Sequence, residues 1–198
     1  MTARKAKPAD GGFFTSMLAS VTDRRDEPPD PMHAVLTGLA PIVSEVTVLL
    51  ILGSFPSARS IAQGQYYAHP QNQFWRILQA IWPDSPLPIG PDSYRKRSDW
   101  LLARGLGVWD VYARCRREGS LDSAIRDAVV NDIAGLRLPA LAGIAHNGGE
   151  SFRHARHTRT LGVPVHRLPS SSAAHASCSF ECKAAAWREV IAQHLPVP

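Results

Sequence analysis

Four short segments of the chain share one pattern: apolar residues set close together, then an abrupt stop in glycine or polar residues. Residues 46–52 (VTVLLIL) form a continuous apolar run with β-branched members, as a strand buried on both faces requires. The run stops at Gly53-Ser54-Phe55-Pro56-Ser57. Residues 107–112 (GVWDVY), 141–145 (LAGIA) and 163–168 (VPVHRL) predict three more strands. The last two lead into His146-Asn147-Gly148-Gly149 and Pro169-Ser170-Ser171-Ser172. Elsewhere the apolar period changes to three and four. Phe74, Trp75, Leu78, Ile81 and Trp82 predict one helix, and residues 94–104, with Trp100, Leu101 and Leu102 inward, predict another. Residues 120–130 (Leu121, Ala124, Ile125 and Ala128 on one stripe), 151–157 and 180–194 complete the helical set. Strands alternating with helices point to a single three-layer α/β/α domain around a central, mostly parallel four-stranded sheet.

Composition sharpens this picture at the ends of the chain. The 198 residues are 44% hydrophobic and 20% charged, enough apolar material for one core and unlike a disordered protein. Residues 1–35 differ, with five basic and five acidic side chains and the stretches PADGG and DEPPDP. They read as a flexible leader to a domain at 36–198, with Met17 and Met32 as alternative starts. No apolar run approaches the ~20 residues that cross a bilayer, and the first residues only faintly imitate an export signal. Three cysteines, an odd number, suit a reducing cytoplasm, so Cys178 and Cys182 are expected to be ordinary thiols. A formal charge of +5 is compatible with a polyanionic partner without demanding one.

Ligands of parallel sheets bind beyond the carboxyl ends of the strands. Here all four ends carry polar or glycine-rich sequence: 53–57, Asp110, Asn147-Gly148 and 169–172. No G-x-G-x-x-G follows the first strand, and neither a phosphate-cradling G-x-x-x-x-G-K-[ST] nor a G-x-S-x-G elbow occurs. His154 and His157 have helical spacing, but Arg153, Arg156 and Arg159 crowd them, so a basic face for phosphate is the better account than a metal site. Neither metal nor organic cofactor is expected. In 66–75 (YYAHPQNQFW), Tyr66, Tyr67 and Phe74 offer rings to a flat heterocycle, and such stacking is worth about 1–3 kcal/mol per base. The same residues also fit plainer duties. Asn72 suits a helix N-cap worth ~1 kcal/mol, with the aromatics as core. Asp110 reads first as a turn or cap residue and second as a water-activating carboxylate.

The stretches LILGSFPSARS, QYYAHPQNQFWRIL, WDVYARCRREGSLDSAIRD, HNG and LPSSSAAHAS resemble the hypoxanthine-DNA glycosylase family of the uracil-DNA glycosylase superfamily, over roughly residues 41–190. The resemblance implies that Gly53, Ser54, Phe55 and Pro56 line a base pocket, with Ser57 toward DNA. Phe55 stands where many superfamily members carry the Asp or Asn that orients water. The resemblance assigns that catalytic task to Asn72 instead, and gives Asn147 the reading of the flipped base. It places Ser170, Ser171, Ser172 and His175 in a loop that enters the minor groove. Relatives usually read P-S-T-S-P-A-N-A there, so Ala173 and His175 depart from the pattern.

A glycosylase must extrude its target nucleotide, at a cost of a few kcal/mol that a mispaired, deaminated base reduces. Phe55 or Tyr67 would then stack on the base, and Arg153, Arg156 and Arg167 are candidate phosphate contacts. Asn147, as a neutral amide, is expected to offer both a donor to O6 and an acceptor to N1–H of hypoxanthine. Asn72 cannot act as a strong base, so its task would be to position water. The expected partner is double-stranded DNA containing a deaminated base, met by a cytoplasmic, nucleoid-associated monomer with no membrane attachment. Uracil or xanthine specificity, a non-catalytic damaged-DNA-binding module and a nucleotide-binding metabolic protein are the alternatives.

Overall fold

The computed structural model describes residues 1–2, 34–90, 92–175 and 177–198; the expected leader, with Met17 and Met32, lies outside them except at its ends. Among the described residues, the first elements are β1 (Val35–Thr37) and β2 (Leu49–Gly53), then α1 (Ala58–Gln63), α2 (Phe74–Ile81) and α3 (Ser93–Leu102). There follow β3 (Leu106–Asp110), β4 (Tyr112–Arg116), β5 (Arg126–Val130) and β6 (Gly143–Asn147). The last elements are α4 (Gly149–Phe152), α5 (Ala155–Thr158), β7 (Val165–Leu168) and α6 (Phe180–Ala192).

The four strands expected from the apolar runs form one sheet in the order β3-β2-β6-β7, parallel throughout. Its centre is β2, buried at every position. Successive side chains of a strand point to opposite faces, and β2 uses both. Leu49 and Ile51 pack with Phe74, Leu78, Trp187 and Ile191 from α2 and α6. Leu50 and Leu52 pack on the other side with Phe55, Val111, Tyr112 and Cys115. Each such buried side chain contributes about 1.5–3 kcal/mol, which is why an unbroken apolar run specifies this position. The result is a three-layer α/β/α domain.

One predicted helix does not form. Residues 120–130 instead make a 3₁₀ turn at Asp122–Ala124 and then β5, exposed at all five positions. β5 pairs antiparallel with β4, and β4 with β1, in a second, three-stranded sheet. Of the stripe Leu121-Ala124-Ile125-Ala128, Ile125 packs against the core from an extended backbone, whereas Leu121 is 61% exposed and Ala128 lies on exposed β5. The strand backbone of β4 offers β5 hydrogen bonds that a lone amphipathic turn cannot match. Two further boundaries move. The predicted strand 107–112 ends at Asp110, where Val111 N–H turns back to donate to Gly53 O at 2.8 Å, and Tyr112 opens β4. The helix expected at 151–157 is split into α4 and α5.

Cys178 and Cys182 are disulfide-bonded rather than ordinary thiols. Ser179 caps α6 by accepting from Cys182 N–H, and that turn brings the two cysteines to a Cα separation of 5.9 Å, within disulfide reach. No helix among the described residues is long and apolar enough to cross a membrane.

Candidate active site

Register places four residues in one row at the carboxyl edge of the parallel sheet. Gly53 pairs with Asp110, Asn147 with Leu168, and the Leu52–His146 pairing sets Gly53 level with Asn147. By strand alternation the side chains of this row lie on the α2 side. Glycine at 53 leaves the Asp110 carboxyl its place, because a Cβ there would overlap Oδ1 of Asp110 and force it to shift.

Above the row opens a cavity of about 390 Å³, a size typical of small-molecule sites (roughly 300–1,000 Å³). Gly53, Ser54, Phe55, Pro56 and Ser57 border it from the loop after β2. Tyr67 and Asn72 border it from the loop before α2, and Asn147 from the end of β6. Ser170, Ser171, Ser172 and His175 close it on the β7 side. Phe74 is the exception among the expected residues. Its side chain is fully buried, on one helical stripe with Leu78 and Ile81. Its ring lies 3.9 Å beneath that of Tyr67 and meets Trp187 edge-on, so it supports Tyr67 and has no face for a base.

Tyr67 adopts φ 55°, a left-handed conformation that is strained for an aromatic residue. Phe74 holds the ring from below, and the phenolic oxygen accepts from Asn147 Nδ2 at 3.1 Å. The second Nδ2 hydrogen of Asn147 goes to Ser171 Oγ at 2.9 Å, while Oδ1 accepts from Ser171 N–H at 2.8 Å. Both donors of the amide are therefore used within the protein, contrary to the expectation that Asn147 supplies a donor to the base. One Oδ1 lone pair remains.

The serine loop is also pinned from below. Gln73 N–H donates to Ser171 O and Trp187 Nε1–H to Pro169 O, each at 2.9 Å. Lys183 Nζ donates to Ser172 O at 3.1 Å, and Gly148, at φ 102°, lets Ser170 approach where a Cβ would crowd it. Lys183 is 2% exposed and burial lowers its pKa. Sequence reasoning missed it. The available signal was a lysine one turn before Trp187 on the inward face of α6.

Asn72 stands both at the start of α2 and at the cavity. Its Oδ1 accepts from Phe74 N–H at 3.0 Å, tying off the start of α2, while the half-buried side chain borders the cavity. The N-cap position itself falls to Gln73. Asp110, by contrast, is neither turn nor cap. It is the last residue of β3, 3% exposed, and its Oδ2 has no hydrogen-bond partner among the described residues. Burial pushes its carboxyl up to about 7, the charge of Asp122 adds to this, and the Tyr66 hydroxyl and Arg117 guanidinium pull the other way. Arg117, also unforeseen, is buried under the first loop. It donates through Nη2 to Pro56 O and sits 5.0 Å over the Phe55 ring.

Three carboxyl side chains, Asp110, Asp122 and Glu150, border the cavity, and no lysine or arginine does so among the described residues. Asp122 accepts from Ser54 Oγ at 2.6 Å, and Glu150 from Tyr112 Oη at 2.8 Å. Carboxylates in such a lining favour positive charge developing beside them. Arg156 and Arg167 are exposed outside the cavity, and Arg153, also exposed, pairs with Glu150 at 3.2 Å.

Residues 41–192 match the family model of the uracil DNA glycosylase superfamily. A Methanosarcina barkeri protein named hypoxanthine DNA glycosylase is 35% identical over 158 residues, 77% of this chain and 95% of that protein. A protein of the same name from Methanosarcina acetivorans is 37% identical over 140 residues, 70% of this chain and 87% of that protein. The fold is similar to the solution NMR structure of a candidate uracil DNA glycosylase from Methanosarcina acetivorans. The TM-score is 0.71 at 34% identity, covering 81% of this chain and 98% of the other.

Proposed function

Because the chain belongs to the uracil DNA glycosylase superfamily, we propose that it is a monofunctional DNA glycosylase that releases deaminated bases, hypoxanthine first among them. Its substrate is double-stranded DNA containing a deaminated base, and it works as a monomer in the cytoplasm, on nucleoid DNA. The observation that carries this reading is the gathering of Asn72, Tyr67, Asn147, the 53–57 loop and the serine loop around one cavity at the sheet's carboxyl edge.

The extruded nucleotide enters with its base against Tyr67 and its sugar toward the mouth, near half-buried Asn72. The C1′–N9 bond breaks with its electron pair on the purine, and positive charge develops on the sugar. Water, held by the free lone pair of Asn72 Oδ1 and by Nδ2–H, bonds through its oxygen to C1′. The proton this water loses passes through solvent to the departing base, so the products are neutral hypoxanthine and an abasic sugar. The remaining lone pair of Asn147 Oδ1 accepts from N1–H. The pinned serine loop, with Ser170, Ser171, Ser172 and His175, fills the gap left in the duplex.

Duplexes carrying single deoxyinosine, deoxyuridine or deoxyxanthosine, treated with the protein and then with alkali, test this function. Strand breaks at deoxyinosine are expected. Asn72→Ala should keep its fold, losing about 1 kcal/mol for the tie to Phe74, and excise at least about 100-fold more slowly. Cleavage at deoxyuridine alone would move the specificity to uracil. Tight binding without base release would make the protein a damage-recognition module.

A further inference from the structure

Given the proposed excision of hypoxanthine, one requirement of the leaving group has no provider so far. Negative charge builds on the purine as its glycosidic bond breaks, and O6 carries part of it, so a donor aimed at O6 lowers the barrier. Asn147 cannot supply that donor, because both its Nδ2 hydrogens are held by Tyr67 Oη and Ser171 Oγ. On the other side of Gly53, in the same row, Asp110 is buried in the cavity wall with Oδ2 unpartnered among the described residues. Asp110 is 3% exposed whereas Asn72 is half-buried, so Asp110 meets the base and Asn72 the sugar.

We propose that Asp110, in its protonated form, is a second catalytic residue that donates a hydrogen bond to O6 of the departing base. The groups facing it are Tyr66, Tyr67 and Tyr94, Asp122 and Arg117. Burial and Asp122 favour the neutral acid, holding it at about 7, while Arg117 and the Tyr66 hydroxyl oppose them. A carboxylic acid kept neutral by an apolar site so that it can donate to a developing oxyanion is established enzyme chemistry. Bare Gly53 leaves the space that the carboxyl occupies. No proton need be transferred. When the base has left, Asp110 retains its hydrogen.

The test is single-turnover excision of deoxyinosine from pH 5 to 9. Wild type should slow as pH rises past neutrality, because the ionised carboxylate repels O6. Asp110→Asn, whose neutral amide still donates, should match wild type at pH 6 and stay fast at pH 9. Asp110→Ala should run about 100-fold below wild type at pH 6, the usual cost of one such donor, with a flat profile that wild type approaches as its carboxyl ionises. The Tyr67 phenol, raised by burial, stays protonated across this range and produces no such limb. Should Asp110→Ala fail to fold, wild type on 2′-deoxynebularine, which lacks O6, serves instead, and the descending limb should vanish. An Asp110→Asn enzyme as slow as Asp110→Ala, with wild type rising with pH, would make Asp110 a base and overturn the proposal. Unchanged excision by Asp110→Ala would overturn it too, leaving the glycosylase function standing. Failure of wild type to release any base from any lesion would overturn both.

Discussion

The two sides of Gly53 solve opposite problems with similar side chains. On the β6 side, Asn147 makes three hydrogen bonds, to Tyr67 and Ser171, and the loop it holds is further pinned by Gln73, Trp187 and Lys183. On the β3 side, Asp110 is just as deep but keeps one oxygen without a partner among the described residues. Buried polar groups are normally satisfied, and leaving one unmade costs about 1–3 kcal/mol. An amide with both donors taken is therefore chiefly scaffold, with one lone pair left for the base, and an unsatisfied acid is the group whose donor is held for a ligand. The molecule tolerates the cost on one side because the other side is tightly built.

The sharpest way to break this contrast is Asn147→Ala. It removes three hydrogen bonds and leaves Ser171 N–H buried without its acceptor, so a loss of about 3 kcal/mol in stability is expected, with excision slowed about 100-fold as the serine loop and Tyr67 loosen. Thermal unfolding beside single-turnover kinetics measures both. A stability change within about 0.5 kcal/mol, that of an ordinary surface substitution, would show that the amide is not scaffold. Gly53→Ala comes next. Its methyl group must displace the Asp110 carboxyl, costing about 1–3 kcal/mol and roughly tenfold in rate. An unaffected rate would place the reacting base elsewhere in the cavity.

The smallest effect expected is on stability against pH. The folded carboxyl of Asp110 titrates near 7, above its ordinary 3.8, so the folded state holds more protons between those values. Its contribution is fully present below pH 3.8 and is lost as pH rises through about 7. Asp110→Asn should therefore raise Tm at pH 8 by a few degrees, about 2–4 °C per kcal/mol recovered in a chain of this size, and leave it unchanged at pH 3.5. Equal melting of the two proteins at pH 8 would mean that the acid is not a buried burden. His146 gives the opposite slope. Burial lowers its pKa to about 4 and it stays neutral between Ser151 and Thr158, so it favours folding above pH 6.5 and that stability is lost toward pH 4.

The apolar runs and helical stripes carried most of the architecture, because burial of β2 on both faces and the α2 and α6 stripes depend on side-chain polarity in short windows. The loops at the strand ends were legible for the same reason, since glycine, proline and serine interrupt those windows. The β4–β5 pairing was not, because an exposed strand is chosen by its partner's open backbone and not by its own pattern. The disulfide was missed too, as the Ser179 cap that folds Cys178 toward Cys182 is a local geometry that four-residue spacing alone leaves open.

Within the site, sequence and resemblance together named many of the residues around the cavity, but they included buried Phe74, left out Asp122 and Glu150, and did not give the division of labour. That Asn147 has spent its donors, that Lys183 and Arg117 brace the two loops from inside, and that Asp110 is buried and unsatisfied follow from contacts between residues 11 to 80 positions apart and from burial. Hydrophobic periodicity is a property of neighbours along the chain, so the sequence determined layers, strands and loop positions by itself. Hydrogen-bond saturation and desolvation are properties of neighbours in space, and only the packed structure decided which polar groups hold the site together and which one is left to act.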